Sequence, residues 1–134
     1  MAQRSNPVRE DGTLAVPFTA SAAITDQYKI VKLSAADTVV LASAGTDKCI
    51  GINQRTTETT NDEIPVKTSG YSLVRSGAAF AAGAYLTADS AGRAVATTTS
   101  TDRTFAIATQ AANNADEFVE CKLLDIPVLV SAVL

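Results

Sequence analysis

Residues 117–123 read EFVECKL, and their alternation sets Val119, Cys121 and Leu123 on one face and Phe118, Glu120 and Lys122 on the other. Period two marks a β-strand, because successive side chains leave a pleated backbone on opposite sides. Working outward, the same pattern recurs. In residues 63–68 (EIPVKT), Ile64 and Val66 oppose Glu63, Pro65 and Lys67. Further β-like runs cover residues 28–33 (YKIVKL), 39–42, 49–53 (CIGIN), 71–75 and 105–109, and residues 127–133 form a closing apolar strand. Residues 85–88 and 93–96 flank Asp89-Ser90-Ala91-Gly92, which reads as a hairpin with a four-residue loop. Ala44-Gly45-Thr46-Asp47 and Ser69-Gly70 supply further turn chemistry. Short strands at roughly ten-residue spacing predict a sandwich or barrel. Helical signals are confined to residues 78–86, interrupted by Gly83, and 106–112, ahead of Asn113-Asn114. The expectation is an all-β single domain with at most short helices, with barrel, sandwich and β-tulip-like arrangements left open.

The chain has 134 residues, enough for one core. Apolar residues make up 46%, yet aromatics only 5%, so small and β-branched side chains must build that core. The net charge is −3 and the charges are scattered. A nucleic-acid partner is not expected, since it would call for a cationic track and stacking platforms. No stretch approaches the roughly 20 apolar residues of a membrane helix. Residues 1–11 are polar, with Arg4, Arg9, Glu10 and Asp11, and no apolar h-region follows. A secretory signal is therefore not expected, and synthesis in the cytoplasm is the default.

Candidates for chemistry are few. The sequence has no histidine, so neither a Ser-His-Asp nor a Cys-His arrangement can form. The neighbouring carboxylates Asp62-Glu63 and Asp116-Glu117 would point to opposite faces of a strand and do not converge. Cys49 and Cys121 lack metal-ligand spacing and read as buried structural thiols, with a disulfide left open. The glycines are spread as turn residues and form no phosphate-binding loop. The threonine-rich residues 56–61 (TTETTN) and 97–101 (TTTST) read as loops. No enzyme, cofactor or metal site is expected.

The amino-terminal segment differs from the rest. Residues 1–12 are polar and broken by Asn6-Pro7 and Asp11-Gly12, whereas residues 13–18 (TLAVPF) are extended in character, with Pro17 suited to an edge. This is either a frayed terminus or an arm that orders against a partner through Leu14, Val16 and Phe18. The expected division is an arm over residues 1–18 and a β-rich domain over 19–134.

Several segments taken in order carry a resemblance: residues 19–24 (TASAAI) leading into 28–33, 44–52 (AGTDKCIGI), 66–74 around Gly70, 77–87 (GAAFAAGAYLT), 89–95 (DSAGRAV), and 106–108 followed by 116–124. Together they resemble the capsid-cement, or head decoration, proteins of tailed bacteriophages over about residues 19–124. The resemblance implies a compact β-rich protein on the exterior of an icosahedral head. Such a protein often forms a homotrimer and locks neighbouring major capsid subunits against internal DNA pressure. Leu14, Val16 and Phe18 would then be capsid-facing anchors. Ala78, Ala79, Phe80 and Tyr85 would belong to a subunit interface, with ordinary core as the alternative. Residues 126–134 would be a buried strand or a segment donated to a neighbour. Two other readings stay open. One is a tail or baseplate β-domain; the other is a carbohydrate- or ligand-binding module, which would want more exposed aromatics than Tyr28, Tyr71, Tyr85 and four phenylalanines offer.

Overall fold

The computed structural model describes residues 15–98 and 101–129, the last five as backbone. Among them the chain forms ten strands: β1 (Val16–Ala20), β2 (Ile30–Ala35), β3 (Thr38–Leu41), β4 (Cys49–Asn53), β5 (Glu63–Lys67), β6 (Gly70–Arg75), β7 (Tyr85–Ala88), β8 (Ala94–Ala96), β9 (Arg103–Ala108) and β10 (Phe118–Leu129). The first five close into a barrel of order β1-β3-β2-β4-β5, and the last five make a sheet of order β6-β10-β9-β7-β8. The β1–β3 pairing is parallel and the other pairings within both sheets are antiparallel. A parallel bridge from Ser76 to Ala94 brings the two outer edges of the second sheet together.

The EFVECKL stretch lies at the centre of that sheet. Phe118 to Leu123 pair with Arg75 to Gly70 on one side, while Cys121, Lys122 and Leu123 pair with Ala108, Ile107 and Ala106 on the other. Val119, Cys121 and Leu123 are buried, as the alternation requires. Glu120 on the opposite face is buried too, its carboxylate accepting the Thr109 hydroxyl at 2.6 Å. Inside the barrel, Ala20, Ile24, Val31, Val39, Ile64 and Val66 form one cluster. Ile30, Cys49 and Ile52 instead join Val74, Leu86, Phe105, Val119 and Leu123 in the core of the second sheet. Strands β2 and β4 are thus a wall with a core on each side. Buried Asn53 ties the loop ahead of β2 to this wall: its Oδ1 accepts the Lys29 N–H at 2.7 Å and its Nδ2 donates to the Asp26 carbonyl at 2.8 Å.

Four points differ from the sequence reading or complete it. No helix is present among the described residues: 106–108 belong to β9 and Leu86 to β7, and Gly83 adopts φ +90° where a helix would have to continue. The closing strand is not separate; β10 runs unbroken through Pro127 to Leu129, with a register shift between Leu123 and Val128, and residues 130–134 lie outside the described residues. The boundary between arm and domain at 18/19 falls inside β1, where Val16, Pro17 and Phe18 pair with Val66, Pro65 and Ile64. Cys49 and Cys121 are buried free thiols, as expected, and the disulfide left open is not formed.

The edge character of Pro17 survives locally, because β3 joins β1 only from Thr19 onward. Its partner Pro65 is compensated differently. Gln54 donates its N–H to the Pro65 carbonyl at 2.9 Å, and the Gln27 side-chain amide donates to the Gln54 carbonyl at 2.9 Å in place of the N–H that proline lacks.

Candidate docking surface

Residues paired across neighbouring strands share a face, which locates the exposed apolar groups. Val16 pairs with Val66, and Phe18 with Ile64, both inside the barrel. Val39 pairs with Ala20 and with Leu33, so Leu33 stands in the same inward row. Val16 and Leu33 are nevertheless 43% and 49% exposed, and they are the exposed large hydrophobics among the described residues. Each ends its row at one barrel mouth. There the starts of β1, β3 and β4 gather with the ends of β2 and β5, and the Thr19 N–H bonds the Asp37 carbonyl of the β2–β3 turn at 2.9 Å.

Beside this mouth a cleft of about 390 Å³ opens between the barrel and the second sheet, lined among others by Ile50, Thr68, Ser69, Phe105, Leu123 and Leu124. Cys49 also lines it, its thiol pushed up to about 12 by burial and by the Asp47 charge. Burial pushes the Cys121 thiol up as well. Both sulfurs are therefore protonated at neutral pH and serve as apolar filling.

Of the residues singled out as anchors, Leu14 lies outside the described residues. Phe18 is half-buried and packs on the barrel core, leaving Val16 at the rim. The stretch singled out as a subunit interface is split. Ala78 and Ala79 are exposed, Tyr85 is half-buried, and Phe80 is in the core, where its N–H and carbonyl bond Ala112 at 3.0 and 2.9 Å. Leu33 escaped attention as a site residue. Alternation puts it on the same face as Val31, and nothing in YKIVKL distinguishes a barrel interior from its mouth.

Charged groups are occupied with structure. Asp47 closes the β3–β4 turn by accepting the N–H groups of Ser43 and Ala44 at 2.8 and 3.1 Å and Lys32 Nζ at 3.0 Å. Burial opposes its charge, but the Ser43 N–H, Lys32 and the Ala44 N–H together outweigh it and hold the carboxyl below the usual range. Asp116 lies 3.3 Å from Arg93 and 3.9 Å from Arg75, whose guanidinium stacks 4.7 Å above the Phe118 ring. Asp116, then Asp89, raise the pKa of Arg93. The adjacent carboxylates separate as well: Asp62 accepts the Thr59 N–H at 3.1 Å, while Glu63 lies in β5. The aromatic rings are buried or half-buried throughout, with Tyr28 edge-on to Phe118 at 5.5 Å.

The comparisons with known proteins agree with this architecture. A family model described as phage cement protein matches residues 8–123. The head fiber gp8.5 N base of bacteriophage phi29 is similar in fold, with a TM-score of 0.66 at 15% identity over 85% of this chain and 96% of that one. A search of curated proteins returned no match. The chain belongs to the phage cement protein family, and as such is a structural component of the phage head.

Proposed function

With that membership as the premise, we propose that the protein seats its barrel mouth on the outer surface of the capsid, bridges neighbouring major capsid subunits and so stabilises the expanded head. The observation carrying this reading is the exposure of Val16 and Leu33 at one mouth of a barrel whose interior is filled by Ala20, Ile24, Val31, Val39, Ile64 and Val66. Isolated exposed leucines are ordinary; two large aliphatics ending inward rows at the same mouth are surface that docking would remove from water. A ligand that binds only the assembled shell stabilises it by mass action, and a homotrimer would multiply modest contacts through effective concentration. The exposed Ala78 and Ala79, carried on a loop anchored by Phe80, suit the approach of a second subunit. This role uses surface and packing and asks for no catalytic group.

The test is co-sedimentation with expanded, undecorated phage heads, comparing the natural chain with a Val16→Asp/Leu33→Asp double variant. Saturable binding that raises the melting temperature of the heads, weakened at least tenfold in the double variant while the free protein melts unchanged, is the expected result. Equal binding by both would reject the mouth as the docking surface, and no binding to any cognate head would reject the capsid reading.

A further inference from the structure

Strands β3 and β4 flank β2 and both run antiparallel to it. They therefore point the same way, and residues 42–48 must return along the barrel to join them. On the way they touch the second sheet. The Gly45 carbonyl accepts the Arg103 N–H at 2.7 Å and the hydroxyl of buried Thr87 at 3.0 Å, and Arg103 Nε donates to the Thr46 carbonyl at 3.2 Å. The approach is close, for a Cβ on Gly45 would collide with the Asp102 carboxylate. Asp47 shapes the segment from within, through the Ser43 and Ala44 N–H groups and Lys32 on β2.

What this connection lacks is apolar anchorage. Ser43, Thr46 and Lys48 are exposed, Ala44, Gly45 and Asp47 are half-buried, and none of the six belongs to either core cluster. Its two ends are the reverse: Ala42 and Cys49 are both buried in the core of the second sheet. A segment held by a few polar bonds between two buried ends can open locally, because water replaces those bonds at small net cost while the cores stay packed. The segment also caps a core side chain. The Asp47 carbonyl accepts the Cys49 N–H at 3.1 Å and lies 3.6 Å from its Sγ, and Cys49 lines the apolar cleft.

We propose that residues 43–48 are a strap that opens as a unit about Ala42 and Cys49 while both cores remain folded, and that its opening controls access to the Cys49 thiol and to the cleft beside it. The latch has two parts. Asp47 shapes the strap, and Thr87 and Arg103 hold its carbonyls on the second sheet. The inference concerns the free protein and stands whether or not the mouth docks on a head.

The two cysteines let one experiment separate local from global opening. The full chain is alkylated with iodoacetamide in rising urea kept below the unfolding transition, and modification of each cysteine is followed by peptide mass spectrometry. Cys121, fully buried on the central strand β10, should react through global unfolding, at a rate that climbs steeply with urea. Cys49 is expected to react faster and with little dependence on urea, because opening the strap exposes little surface. Asp47→Asn should raise the Cys49 rate about tenfold, and Thr87→Val severalfold, with the rate still flat in urea. A Cys49 rate and urea dependence equal to those of Cys121 overturns the proposal, since the thiol is then reached only by unfolding. A Cys49 rate that is flat in urea but unmoved by both variants overturns it too, since the thiol is then reached by a path other than the strap.

Discussion

The barrel and the second sheet have five strands each but solve the packing problem differently. The barrel is closed, so its interior is narrow and is filled by Ile24, Val31, Val39, Ile64 and Val66 with Ala20. The second sheet closes, among the described residues, through the Ser76–Ala94 bridge, and packs Phe80, Phe105 and Leu86 with Ile30, Ile52, Val74, Val119 and Leu123 among Ala88, Ala94, Ala106, Ala108 and Ala112. Medium β-branched side chains suit a tight, evenly curved interior, whereas a few large rings among alanines fill a core between surfaces of different curvature. The difference extends to edges. Closure leaves the barrel little edge to template another chain, while among the described residues β6 stops pairing with β10 at Leu123 and leaves the end of β10 with β9 alone.

The sharpest way to break this contrast is Phe105→Ala. It removes a ring that is 2% exposed in the core of the second sheet and leaves a cavity there. A loss of about 3–5 kcal/mol is expected in denaturant unfolding; a loss near that of a surface change would mean the alanine-rich side is not packed around its rings. Next comes Gly51→Ala in the barrel wall. A Cβ there would collide with the Lys67 carbonyl and stand 2.8 Å from Val66 Cγ1, so overpacking of about 1–3 kcal/mol is expected in the same measurement.

Asp47→Asn probes the β3–β4 turn of the barrel. Three hydrogen bonds to a charged carboxylate make a cost of about 1–2 kcal/mol reasonable at pH 7. Because the Asp47 pKa is lowered in the folded protein, its contribution is present above the ordinary carboxylate value and is lost as pH falls through the folded value. Thermal melts should therefore show the gap between variant and natural chain closing below about pH 4; a gap that persists in acid would assign the effect to the shape of the side chain. The smallest effect on folding is expected for Leu33→Ser, within about 0.5 kcal/mol by chemical denaturation. A larger loss would place Leu33 in the barrel core and not at its mouth.

Much of the fold was legible in one dimension. CIGIN is β4 and residues 85–88 are β7 with the bounds read from the sequence, and the Asp89–Gly92 hairpin is as the turn residues required. Alternation in EFVECKL and EIPVKT assigned the buried faces correctly, because side-chain direction in a strand is a local property of the pleat. The weak helical signal of residues 78–86 comes from the high helix propensity of alanine, and the Phe80–Ala112 bridge overrides it. The candidate site was only half legible. Val16 was named, but within a free arm, since three alternating apolar residues look the same in a tail and in the first strand of a barrel.

What the sequence determined by itself is the class of protein: β-strands from the period of two, turns from glycine and aspartate, a small-residue core from composition, and no histidine-based chemistry. Tertiary structure alone decided which inward-facing residues are interior and which are rim, that the sheet divides into a barrel and a second half-closed sheet, and that β10 outruns β6. The reason is physical. Face follows from neighbouring peptide units, but depth within a barrel and the end of a pairing depend on strands far apart in the chain, whose register no local pattern records.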